Sequence, residues 1–340
     1  MKVDHFLLSP GLGQVEQEAR RAESIGFDGF FTADTAHDPF LPLVTAARVT
    51  GRMDLGTGIA VAFARSPMTV AYTSWDLADA SGGRFLLGLG TQIRAHVTRR
   101  FSMPWEAPAA RLAEYIRALR AIWYSWQNGS RLSFTGEYYS FTLMTPFFDP
   151  GPIAHPSIPI YVSAVNPLVT RLAGELCQGI HVHPFHTARY VREVMIPEIQ
   201  RGAAKAGRSA DEVALAAAVF VVSGETPRER EAAEAYVRQQ IAFYASTPAY
   251  RRVLDHHGWS FGEKLTAMSK RGEWGEMASV IPDEVVEEVA VVAPLAEVGS
   301  AIRRRYEGLL ERVALYTVPG FGGLSDGEWA ELVSSIAGPR

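Results

Sequence analysis

One cysteine, Cys177, stands in 340 residues. That excludes an internal disulfide, a CxxC redox pair and a thiolate zinc site. Excess positive charge is missing too: the net charge is −4, so no basic field exists to displace counterions from nucleic acid. No window approaches the roughly 20 apolar residues of a membrane span. Residues 1–6 (MKVDHF) lack the apolar stretch of a secretory leader. Repeats, low-complexity tracts and linkers are lacking as well. What is present is an ordinary apolar content, 47% hydrophobic against 21% charged, well above that of a disordered chain. The expectation is a cytoplasmic protein with neither nucleic acid nor membrane as partner; homodimerisation stays open.

Short β-branched or aromatic runs alternate with amphipathic stretches along the chain. Strands are expected at 3–8, 30–32, 54–60, 84–88, 160–163, 179–182, 213–222 and 312–317. Helices are expected at 15–24, 42–50, 68–80, 109–126, 168–176, 188–207, 228–246, 297–307 and 326–336. In the helix at 109–126, Leu112, Ile116, Leu119 and Trp123 recur at three and four, the period of a buried stripe. About eight βα units imply an α/β protein, a (β/α)₈ barrel built as one domain. Two excursions break the alternation: a β-loop at 128–159, and short helical pieces at 247–294 that would cover the barrel mouth.

Several local patterns carry chemistry. Gly88 and Gly90 follow a strand, but Ile93 stands where a dinucleotide fingerprint needs its third glycine, so a glycine turn is the better reading. Gly56 and Gly58 sit within a strand, where glycine marks a bulge or a ligand against the backbone. Asn166 before Pro167 reads as a helix start, whose free N–H groups also suit an anion. His181 and His183 alternate on one strand. They admit a metal site, although His183 with Phe185 reads better as pocket wall, and no metal is expected. Arg303, Arg304 and Arg305 read as a solvated helix face.

Three blocks, LGTGIA at 55–60, SGGRFLLGLGT at 81–91 and IPIYVSA at 158–164, resemble the luciferase-like monooxygenase superfamily, and within it the oxidoreductases that use coenzyme F420, a deazaflavin. The likeness runs along essentially the whole chain. It implies a luciferase-like barrel with deazaflavin or flavin at the C-terminal ends of the strands, and hydride transfer between coenzyme F420 and a small organic substrate. It also implies a non-prolyl cis peptide at Gly58-Ile59 backing the ring, and Asp34 at the end of the second strand reaching it. Relatives often have histidine directly after that acid; here Thr35 follows, and His37 comes two places later. His37, with Asp34, is the proton-transfer candidate, since an imidazole titrates near neutrality. The resemblance further assigns Gly90, Thr91 and His96 to the cofactor, with Ser163, Ala164, Val165 and Asn166 near its phosphate-bearing tail. Arg94, Arg99 and Arg100 are available to that tail. The rival readings are an FMN-dependent monooxygenase, a non-catalytic flavin-binding barrel, and a metal-dependent hydrolase built on His181 and His183.

Overall fold

The computed structural model describes residues 1–8, 11–316, 321 and 323–338. Eight strands run parallel: β1 (Lys2–Leu7), β2 (Gly29–Thr32), β3 (Asp54–Thr57), β4 (Phe85–Gly90), β5 (Ile160–Ala164), β6 (Gly179–Val182), β7 (Ala214–Val219) and β8 (Arg312–Leu315). Each pairs with its neighbours in chain order. β8 returns to β1 with Val3 opposite Val313, and β3 meets β4 with Leu55 opposite Phe85, so the sheet closes. Helices lie between the strands, and the protein is a (β/α)₈ barrel. Strands covered by helices outside and packed side chains inside must be apolar on both faces. All six residues of β4 are accordingly buried.

The helices form where sequence periodicity places them and end on recognisable caps. Pro108–Asn128 buries Leu112, Ile116, Leu119 and Trp123 and stops at Gly129 in the left-handed conformation. Pro227–Ala245 and Asp326–Ala337 each begin with a reciprocal capping box, Thr226 with Glu229 and Ser325 with Glu328. At the barrel's base, buried Arg312 reaches Asp4 Oδ1 at 2.5 Å and Asp54 Oδ2 at 2.6 Å. One guanidinium thus ties β8 to β1 and β3, where residues distant in sequence must meet.

Four details depart from the sequence reading. The run 54–60 breaks after Thr57 and resumes only at Ala60–Val61. The run 213–222 also breaks: Phe220 leaves the barrel, and Val221–Val222 pairs with Val291–Val292 outside it. A single apolar run therefore serves two sheets, because both segments are buried and equally hydrophobic. The helix at 188–207 contains a π turn at Val191–Met195. The last strand ends at Leu315, and Thr317 lies outside the described residues. In the first excursion Phe134–Thr135 pairs antiparallel with Ser140–Phe141. In the second lie helices Arg251–His257, Gly262–Arg271 and Asp283–Val289. Among the described residues no helix is long and apolar enough to cross a membrane.

Candidate active site

A cavity of about 530 Å³ opens at the C-terminal ends of the barrel strands. All eight strands or the loops following them contribute to its wall, the arrangement that lets separate loops converge on one ligand. Its first-half wall includes Asp34, Gly58, Ile59, Gly90, Thr91 and His96, joined by Ser163, Ala164, Val165 and Asn166. Its second-half wall includes His181, His183, Tyr244, Tyr250 and Tyr316.

The peptide bond Gly58-Ile59 is cis, as the resemblance implies. It lies in the gap between β3 and Ala60–Val61, and two hydrogen bonds fix that gap to β2. Gly58 N–H donates to Thr32 O at 2.7 Å, and Asp34 N–H to Ile59 O at 3.0 Å. The Asp34 side chain completes the clamp. Its Oδ2 accepts the Val61 N–H at 3.0 Å and Arg65 Nη1 at 2.5 Å, while Arg65 Nη2 donates to Asp38 at 2.9 Å. Asp34 therefore reaches the cavity as an ion-paired staple of the bulge, with one oxygen fully engaged. Two glycines make the neighbouring wall flat. A Cβ on Gly90 would lie 2.6 Å from Ile59 Cδ1, and one on Gly58 would lie 2.5 Å from the Phe6 ring. Ile59 can lie along β4 only because Gly90 has no side chain.

Gln92, directly after Thr91, adopts a left-handed φ of 59°, and its Oε1 accepts the Ile93 N–H at 3.0 Å. The segment that follows keeps Ile93 and His96 on the cavity wall and carries Arg94, Arg99 and Arg100. All three arginines are exposed and none lines the cavity. Arg100 donates to the Thr35 carbonyl and stands 4.0 Å from Asp34 Oδ1. Asn166 precedes helix Pro167–Leu176, but its side chain does not cap it. Its Nδ2 instead donates to Ala249 O at 3.1 Å, which ties the helix start to the second excursion and leaves the first-turn N–H groups open.

His183 has both ring nitrogens occupied. Nδ1 accepts the Phe185 N–H at 3.1 Å, and Nε2 meets the Tyr250 hydroxyl at 2.9 Å. No lone pair remains for a metal, which removes the hydrolase reading built on His181 and His183. Burial lowers the pKa of His183 and of His181 to about 3, so both rings are neutral near pH 7. Nearby, the Tyr244 and Tyr316 hydroxyls lie 3.0 Å apart, and Tyr316 donates to Gln240 Oε1 at 3.4 Å.

Two candidates from the sequence fall outside this arrangement. His37 is exposed in the loop after β2 and does not line the cavity, because Asp38 caps the following backbone at Phe40 and turns the loop outward. Phe185 is fully buried and packs edge-on to Tyr250 at 6.2 Å, behind the wall. Conversely, Arg65, Gln92, Tyr244, Tyr250 and Tyr316 escaped the sequence reading. Only Tyr316 carried a signal, its place just beyond the last barrel strand.

Among known proteins, an uncharacterized protein of Mycobacterium tuberculosis is 47% identical over 303 residues, 89% of each chain. The 5,10-methylenetetrahydromethanopterin reductase of Archaeoglobus fulgidus is 29% identical over 283 residues, 81% of this chain and 80% of that one. The fold is shared with the coenzyme F420-dependent tetrahydromethanopterin reductase of Methanopyrus kandleri, at a TM-score of 0.79, 22% identity and coverage of 99% and 98%. It is shared also with the oxygenating constituent of the 3,6-diketocamphane monooxygenase of Pseudomonas putida in complex with FMN, at a TM-score of 0.65, 15% identity and coverage of 98% and 96%. The model of the luciferase-like monooxygenase family matches residues 2–312, and the chain belongs to that family.

Proposed function

We propose that this chain binds coenzyme F420 in the strand-end cavity and transfers hydride between it and a small organic substrate. The observation that carries the reading is the flat wall formed by the Gly58-Ile59 bulge and Gly90, which suits one face of a planar tricyclic ring. A putative coenzyme F420-dependent oxidoreductase and an F420-dependent glucose-6-phosphate dehydrogenase among the relatives support it. When bound, the deazaflavin supplies a two-electron hydride donor or acceptor. The chain's own residues do the rest. Ile59 and Gly90 back the ring, and Asp34 with Arg65 keeps the bulge in shape. Thr91 and His96 stand beside it, and residues 163–166 present the open first turn of Pro167–Leu176 to a phosphate.

The flat wall does not separate F420 from FMN, since both rings are planar. The tails differ: F420 extends beyond the ribityl arm through a phosphate into a chain of glutamates. Arg94, Arg99 and Arg100 lie past the cavity mouth, where that extra negative charge would emerge. Exposed ion pairs contribute only about 0.2–1 kcal/mol each and are screened by salt. The test is an equilibrium titration of both oxidised cofactors at low and high salt. F420 should bind more tightly, and the paired substitutions Arg99→Ala and Arg100→Ala should weaken it chiefly at low salt. Tighter FMN binding, or indifference to both substitutions and salt, would move the assignment to a flavin monooxygenase.

A further inference from the structure

The wall contributed by the second half of the barrel differs in chemistry from the cofactor wall. From His181 to Tyr316 the described lining residues include no lysine, arginine, aspartate or glutamate. The two histidines there are neutral, as argued above. The two carboxylates elsewhere in the lining, Asp4 and Asp34, are already paired with Arg312 and Arg65. A charged group entering this part of the cavity would lose its water and find no counter-ion. An uncharged molecule loses nothing of the kind.

One hydroxyl on that wall is singled out by its hydrogen bonding. His183 Nδ1 accepts the Phe185 N–H. The neutral imidazole therefore carries its proton on Nε2 and donates to the Tyr250 oxygen at 2.9 Å. The Tyr250 hydroxyl hydrogen is left without an acceptor among the described residues. Tyr244 and Tyr316 are not in this position, because Tyr244 can donate to Tyr316 and Tyr316 donates to Gln240. Tyr250 is also fixed in place. Its ring stacks on His183 with centroids 4.2 Å apart, and the carbonyl of its neighbour Ala249 accepts from Asn166.

We propose that the substrate is an uncharged carbonyl compound, held through its oxygen by the Tyr250 hydroxyl, whose proton passes to that oxygen when the carbonyl is reduced. The carbonyl carbon accepts a hydride from the reduced deazaflavin, the C=O π pair moves onto oxygen, and that oxygen takes the Tyr250 proton to give an alcohol. Two electrons pass from deazaflavin to substrate, and solvent returns one proton to the phenolate, which the His183 N–H meanwhile stabilises. Burial pushes the Tyr250 pKa up to about 12, so the phenol keeps its proton at neutral pH. It is a donor there, the protonation state that carbonyl reduction needs. The inference rests on the hydride-transfer reading for its chemistry, although oxygen binding by Tyr250 is measurable without it.

Ligand-observed NMR on the protein, with and without bound F420, tests the binding half with cyclohexanone and acetophenone as neutral probes, and pyruvate and glucose 6-phosphate as charged ones. The neutral ketones should bind and the charged compounds should not. Tyr250→Phe, which retains the ring on His183, should weaken ketone binding at least about tenfold and leave F420 binding within about twofold. In the reaction with reduced F420, Tyr250→Phe should lower kcat by about 10²–10⁴, more than it changes KM. The wild-type rate should be flat between about pH 6 and 9, where the phenol stays protonated. Should the variant not fold, 3-fluorotyrosine at position 250 keeps the hydroxyl, and its ¹⁹F resonance should shift on addition of cyclohexanone. Preferential binding of the charged probes, ketone binding indifferent to Tyr250→Phe, or an unmoved ¹⁹F signal would overturn the proposal. F420 binding without ketone contact would sink this inference alone. Ketone binding lost on Tyr250→Phe in a protein that refuses F420 would sink the cofactor reading and leave the oxygen contact standing.

Discussion

Lowering the pH from about 7.5 to about 5.5 should remove several kcal/mol of stability through four histidines. Burial lowers the pKa of His5 and His186 to about 4 and of His181 and His183 to about 3. Nearby positive charge adds to this for His5, from Arg21, and for His181, from Arg312. In the unfolded chain each imidazole titrates near 6.5. Between the folded and unfolded values the unfolded state binds more protons, so stability is complete above the unfolded value and falls as pH drops below it. At about pH 5.5 an unfolded imidazole is roughly 90% protonated and a folded one almost entirely neutral. That costs about 1.4 kcal/mol per residue, or about 5–6 kcal/mol for four. Every folded value lies well under 5.5, so the unfolded value alone sets the size of the loss. Domains commonly have only about 5–15 kcal/mol in total. Urea unfolding followed by circular dichroism at the two pH values measures this directly, and the midpoint should fall with little change in slope. Equal midpoints, or imidazole NMR signals titrating near 6.5 in the folded protein, would refute the reasoning.

Other perturbations test the cavity's construction. Arg65→Leu leaves the buried Asp34 carboxylate with the Val61 N–H and the more distant Arg100 at 4.0 Å, and should cost about 3 kcal/mol in denaturant unfolding; a loss below about 1 kcal/mol would show that the pair does not hold the bulge. Gly88→Ala would set a Cβ 1.8 Å from the Thr57 carbonyl oxygen, which is backbone and cannot swing aside. It should destabilise by about 3 kcal/mol or more or prevent soluble expression, and a variant of normal stability would contradict the packing described. Asn166→Ala removes the bond to Ala249 and should speed hydrogen exchange at 247–257 while costing about 1 kcal/mol; unchanged exchange would mean the excursion is held by other contacts.

How much of this was legible beforehand differs between the two walls. The barrel could be read because its strands are short apolar runs and its helices keep a period of 3.6, as Leu112, Ile116, Leu119 and Trp123 do. Apolarity alone could not say where one sheet ends and another begins, so 213–222 read as one strand although Val221–Val222 pairs elsewhere. The first-half wall was legible because glycines at strand ends, Gly58 and Gly90, mark close approach and the family resemblance added Thr91; all three reach the cavity. Asn166 was placed correctly but given the wrong bond, since a capping residue and a tether to a distant carbonyl look alike in one dimension. The second-half wall was largely hidden. Tyr244 and Tyr250 sit near the start of an excursion without a motif, and only three-dimensional packing brings them to His183. His37 drew attention through its chemistry, yet the Asp38 turn directs the loop outward.

The most direct test of the central claim is a crystal structure of the protein with oxidised F420 bound. The account predicts the deazaflavin ring against Gly58-Ile59 and Gly90, the phosphate near residues 163–166, the glutamate tail leaving past Arg99 and Arg100, and the Tyr250 hydroxyl facing the space beside the ring. A ring bound away from the Gly58-Ile59 wall, or a tail directed away from those arginines, would contradict it.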